Sequence, residues 1–240
     1  MSPYAYCGGD PINYCDPTGM EFTEAAKKWA DELTKFATNT IKEISNQIEW
    51  INQKLNSKDI SKNERNKFEA YKANLESRGK DLSDMIQEIS VLEQSTQVYD
   101  VVISNEYGGD KGTTRFNKDN NTVEMVLPED NNLEIAGHEF KHGYQFEIGK
   151  YGFTKMSSQI PIYDHTDEIE AYNRSASITG LDYSDILNGE TYAHLNRNPY
   201  SVRTLLEPIK EYLNNELVIE RFARQKKTIF RWNGRTYIGF

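Results

Sequence analysis

Residues 22–97 contain no proline and a single glycine, Gly79, so nothing in that stretch interrupts a helix. Apolar side chains fall at Trp29, Leu33 and Phe36, then at Ile41, Ile44, Ile48, Ile51 and Leu55. A second series runs Phe68, Tyr71, Leu75, Leu82, Met85, Ile89 and Leu92. Steps of three and four put each series on one stripe of a helix, the seam of a coiled coil. The segment between them, Asn56 to Asn63, is polar. Ser61 with Glu64 three residues on reads as a capping box that starts the second helix, and Thr23 is positioned to cap the first. Two long antiparallel helices are expected over 22–97. No catalytic constellation lies on them, so they read as a packing or spacer arm.

The pattern changes at Val98. Val98–Ile103 is β-branched and apolar, which predicts a strand. A loop is expected at Gly108, Gly109 and Asp110. Thr113–Asn117 and Thr122–Leu127 flank the turn cluster Lys118, Asp119, Asn120 and Asn121, and Pro128 stops the second strand. That arrangement predicts a hairpin. A helix should then begin at a cap of Asp130 or Asn131, run to about Ile148 and stop at Gly149. Leu133, Ala136, Phe140 and Tyr144 would face the core.

That helix carries His138-Glu139-Phe140-Lys141-His142, an H-E-x-x-H motif. Positions i and i+4 share a helix face, so both imidazoles can grip one metal ion. The adjoining Glu139 can act as general base for the water that the metal activates. Gly137 leaves no side chain beside the histidines and lets a neighbouring element approach.

A third ligand must come from further along. Residues 163–180 contain Glu168-Ile169-Glu170-Ala171 in a helical context that ends at Gly180. Glu168 and Glu170 are two apart and point opposite ways on a helix, so only one can reach the metal. The longer motif H-E-x-x-H-x-x-G-x-x-H is not completed. Tyr163, His165, Tyr192 and His194 are each eligible to stabilise an oxyanion. Residues 184–188 are turn-like, 200–217 have helical spacing, and Asn233-Gly234 sets up a closing hairpin. The fold class is α+β: a helical hairpin, a small antiparallel sheet with two further helices, and a C-terminal β-hairpin.

The bulk composition narrows the function. A net charge of −9 argues against nucleic acid as a partner. No apolar run is long enough to span a bilayer, and residues 1–20 do not have the basic-then-apolar order of a secretory signal. Cys7 and Cys15 are the only cysteines, so the body needs no disulfide.

Two resemblances extend this reading. A hairpin leading directly into an H-E-x-x-H helix resembles the order of zincin peptidases, and Glu168-x-x-Ala171 resembles the E-x-x-A of glutamate zincins. That resemblance implies zinc held by His138, His142 and Glu168, with Glu139 as the catalytic base. It also implies an edge strand that binds extended peptide. Tyr172 stands where several of those families have Asp or Asn. Separately, residues 4–19, from Tyr4-Ala5-Tyr6 to Asp16-Pro17-Thr18-Gly19, resemble the closing motif of Rhs-repeat cores. Gly9 replaces a usual Asn, and Ser2 stands at the opening Asn. This implies a division into 1–21, the end of an Rhs core; 22–97, the helical hairpin; and 98–240, the toxin domain. The implied activity is a zinc metallopeptidase payload of a larger secreted Rhs effector, delivered into a target cell in interbacterial competition. It would cleave a protein there and be neutralised by a cognate immunity protein. Hydrolysis of another amide, by a deamidase or a peptidoglycan amidase, is an open alternative. So is a non-catalytic interaction module built on the hairpin.

Overall fold

The computed structural model describes residues 22–57, 59–106, 111–129, 132–154, 161–183 and 201–239. The Rhs-like segment, the loop at 108–110, the caps expected at Asp130 or Asn131, the turn at 184–188, Tyr192 and His194 lie outside the described residues.

The chain is α+β. Two long helices come first, α1 (Glu24–Leu55) and α2 (Lys62–Glu93). Both start as expected. Thr23 accepts from the Ala26 amide, and Ser61 and Glu64 form a reciprocal capping box. The seams close on each other through Leu33, Ile44 and Ile51 of α1 and Leu75, Leu82, Met85 and Ile89 of α2, all buried. Tyr71 departs from the expected seam. It is 50 % exposed and donates to Gln47 instead.

The helical hairpin is welded to the rest of the chain. Phe22 bridges to Tyr99 at the next strand, and its ring packs edge-on against Tyr99 and Phe140. One continuous core joins Leu33, Leu82 and Leu92 to Met125, Phe140, Phe146 and Phe153. Burial of this size is what holds a long helix pair in place, since helix propensity alone supplies little.

Strands β1 (Val98–Ile103), β2 (Thr113–Asn117) and β3 (Thr122–Leu127) form a sheet in the order β1-β3-β2. The β2–β3 hairpin is antiparallel as expected. The sheet is nevertheless mixed rather than antiparallel, because β1 pairs with β3 in parallel. The chain leaves β1, passes to the far edge as β2, and turns back between the two. β2 is thus part of the crossover that any parallel pair requires.

Helix α3 (Leu133–Glu147) comes next, capped not by the expected Asp130 or Asn131 but by Asn132, whose side chain accepts from the Glu134 and Ile135 amides. It ends where Gly149 takes φ +74°. Short strands β4 (Gly152–Thr154) and β5 (Pro161–Ile162) lead to α4 (His165–Thr179). The helical pattern of 200–217 does not give one helix. It breaks into α5 (Val202–Leu206), a 3₁₀ turn over Glu207–Tyr212, and a new helix α6 (Glu216–Lys226). Pro208 near the start of the 3₁₀ turn removes an amide donor, which forbids continuing α5 as a regular α-helix.

Strands β6 (Thr228–Trp232) and β7 (Arg235–Ile238) close on Asn233 and Gly234, both at positive φ as this tight turn demands. The hairpin adds to β4 and β5 to make a second sheet, β5-β4-β6-β7. It is tied to α3 and to the approach to β1 by the buried Arg231, which reaches Glu147, Ser95 and Thr96.

Candidate metal centre

The site is built on α3 and α4. The Cβ that an alanine would place at Gly137 falls 2.2 Å from Ile178 Cδ1, so the bare Gly137 is where the Ile178 side chain of α4 seats on α3. Ala171 on the facing helix is fully buried. The start of α4 is set by Asp164, which caps Thr166, and by Asp167, whose carboxylate accepts from the Asp164 amide at 3.0 Å. Arg203 of α5 clamps both carboxylates, at 2.6 and 2.8 Å. Glu168 is the next residue and inherits that placement.

Three donors converge. His138 Nε2 and His142 Nε2 are 3.1 Å apart. Glu168 Oε2 lies 3.7 Å from the first and Glu168 Oε1 3.6 Å from the second. A tetrahedral zinc with bonds of about 2.0–2.1 Å sets its ligands ~3.3 Å apart. The His138–His142 separation is close to that figure, and each imidazole faces a different Glu168 oxygen, so a small turn of the carboxylate brings one oxygen to both. All the ligand atoms fall within 4.8 Å of one another. Glu168 Oε2 is buried and has no hydrogen-bond partner. An unpartnered buried carboxylate oxygen is costly unless a cation completes it. The donor set, two imidazoles and a carboxylate, therefore fits a divalent ion of the zinc type.

Burial and the adjacent His142 push the His138 pKa well below its ordinary value, so that imidazole is neutral and free to ligate. Glu139 is 3 % exposed. Burial raises its carboxyl from 4.5 to about 7, against the lowering effects of His142 and of the hydrogen bond from Thr114. Thr114 Oγ1 donates to Glu139 Oε2 at 2.8 Å. Thr114 lies on the edge strand β2, and the start of that strand presses on α3. A Cβ at Gly112 would lie 2.7 Å from Glu139 Oε1.

These groups open onto a cavity of about 310 Å³ between β2, α3 and α4. Tyr151, Tyr163 and Tyr172 line its walls. Tyr151 lies against the His142 ring at 4.9 Å between centroids and stacks on Tyr163 at 5.2 Å. Tyr172 meets the His138 ring edge-on at 4.8 Å. Tyr172 thus braces the His138 imidazole with an aromatic ring.

Each expected ligand is thus in the cluster, and Glu170 is not. Glu170 turns away to pair with Lys150 at 2.7 Å and to accept from Gln145 at 3.1 Å. Tyr163 is at the cavity, whereas His165 is the first residue of α4 and does not line it. Sequence reasoning missed Gly112, Thr114, Gln145 and Tyr151. Gln145 alone had a legible signal, since it lies three positions beyond His142 and so shares its helix face.

The helical hairpin also reaches the back of the site. Glu88 of α2 pairs with Lys141, inside the H-E-x-x-H motif, at 2.6 Å and with Arg174 of α4 at 2.9 Å. Among the described residues no helix is long and apolar enough to cross a membrane. Comparisons with family models, curated proteins and solved structures found no match.

Proposed function

We propose that this chain is a zinc-dependent metallopeptidase of the zincin type. The observation that carries the reading is the convergence of His138, His142 and Glu168 beside a buried Glu139 at the floor of a cavity. Among the described residues the cluster offers three protein ligands. A structural zinc is normally closed by four, and a catalytic one keeps a position open.

Zinc bound there supplies a Lewis acid that polarises a carbonyl and brings the pKa of water to about 7. The chain's own residues do the rest. Thr114 engages Glu139 Oε2, which leaves Oε1 to take the proton of the attacking water. Glu139 then returns that proton to the departing amine, so the amide C–N bond breaks with no net change in the base. Substrate reaches the site along β2, which among the described residues pairs with β3 on one side only. Its other edge offers unpaired backbone groups to an extended peptide.

The Rhs-like residues 4–19 support placing this activity as the payload of a larger secreted effector. The target is then a protein of the recipient cell, and an immunity protein protects the producer. The test is Glu139→Gln in the full chain. Zinc content should match the parent, while peptide hydrolysis and toxicity to a recipient cell are lost. A variant that kills as well as the parent would refute the proposal.

A further inference from the structure

We propose that Gln145, locked in orientation by the Asp167 carbonyl and Glu170, fixes the tautomer that makes His142 a metal ligand. The inference rests on the metal-site reading for its consequence, though the tautomer itself can be measured without metal.

The assignment comes from the bonding capacity of each partner. One end of the Gln145 amide lies 2.9 Å from the backbone carbonyl oxygen of Asp167 and 3.1 Å from Glu170 Oε2. A carbonyl oxygen can only accept, and so can a carboxylate paired with Lys150 at 2.7 Å. That end of the amide must therefore be the NH₂ group, with both hydrogens committed. The other end is then the amide oxygen, which can only accept. It lies 2.7 Å from His142 Nδ1. So His142 Nδ1 carries a proton, and in the neutral ring the lone pair is on Nε2, the nitrogen that lies with His138 Nε2 and Glu168 in the donor cluster.

The lock is buried. Gln145 is fully buried and His142 is 4 % exposed, so water cannot substitute for either partner. A reversed amide would set its oxygen against the Asp167 carbonyl and the Glu170 carboxylate, three acceptors with no hydrogen among them. It would also point an NH₂ group at His142 Nδ1 and so move the ring hydrogen to Nε2, where the metal should bind. Glu170, the rival for third ligand, thus acts behind the ligand rather than on the ion. Its carboxylate is held between Lys150 and Lys141, the latter at 3.8 Å and itself paired with Glu88 of the helical hairpin. Gln145 and Glu170 are positioning residues. Neither touches the reacting atoms.

The test is a two-bond ¹H–¹⁵N correlation spectrum of histidine-labelled, zinc-free protein at pH 8. His142 of the parent should show a protonated Nδ1 and an unprotonated Nε2. Gln145→Leu should lose that single pattern and bind zinc about 10–100-fold more weakly in chelator competition. Gln145→Glu sets a carboxylate oxygen against the Asp167 carbonyl and the Glu170 carboxylate, so it should not restore the parent's zinc affinity. A parent spectrum with the proton on Nε2 overturns the inference. So does a folded Gln145→Leu variant with the parent's tautomer and zinc affinity. If Gln145→Leu does not fold, the parent spectrum alone still decides. A parent that shows the Nδ1 proton yet takes up no zinc supports the tautomer assignment and overturns the metallopeptidase reading instead.

Discussion

Glu139→Gln separates the proposed general base from the fold, and the structure supplies a magnitude for the metal-free protein. Burial holds the Glu139 proton up to about pH 7, against 4.5 for an ordinary glutamate. The folded state therefore binds this proton more tightly than the unfolded chain does. Stability is fully present below the unfolded value and is lost as pH rises through the folded one. The displacement corresponds to about 3 kcal/mol in all, of which about 2.5 kcal/mol falls between pH 5 and pH 8. Glutamine carries no charge and has no such slope. The parent should therefore lose about 2.5 kcal/mol more than Glu139→Gln between those pH values, in urea unfolding with a chelator present. Zinc should abolish most of the difference, because a cation beside Glu139 favours the carboxylate. With zinc bound, the same variant should be slower by about 10²–10⁴-fold in peptide hydrolysis, the usual worth of a general base. Equal pH slopes for parent and variant would show that Glu139 is not the buried, proton-holding group described here.

The same geometry sets three further outcomes. His138→Ala, His142→Ala and Glu168→Ala should each lose stoichiometric zinc by metal analysis, whereas Glu170→Ala should retain one ion. Retention by Glu168→Ala and loss by Glu170→Ala would reverse the ligand assignment. Gly137→Ala should cost no more than about 1–2 kcal/mol of unfolding free energy, because Ile178 Cδ1 can turn aside and alanine favours the helix, and Ile178→Val, which removes the clashing Cδ1, should abolish the cost. Glu88→Ala should cost about 1–3 kcal/mol, because buried Arg174 loses its carboxylate partner while Lys141 keeps only Glu170, at 3.8 Å. Adding Lys141→Met should then cost less than the sum of the single changes, read from a double-mutant cycle.

Much of the candidate site was legible because its signals are local. Two histidines four apart share a helix face in any α-helix. Caps at Thr23 and Ser61 and the Asn233-Gly234 turn each depend on a few neighbouring residues. The choice between Glu168 and Glu170 was of another kind. Their spacing says only that one of them must lose. Glu168 is selected by the rotation of α4, fixed by the Asp164 and Asp167 cap, the Arg203 clamp and the seat of Ile178 over Gly137. Thr114 and Gly112 become part of the site only because β2 lies along α3, and strand-to-helix contacts leave no periodic trace in a sequence.

The amino-acid order by itself determined the helices α1 to α4, the β2–β3 and β6–β7 hairpins and the pairing of His138 with His142, since each is a property of short-range geometry. Tertiary structure alone decided that β1 would pair in parallel with β3, that Glu170 would serve Gln145, and that Glu88 of the long hairpin would brace α3. Those outcomes depend on how separate elements bury their apolar faces against one another, and a packing of that kind is settled by the whole core at once.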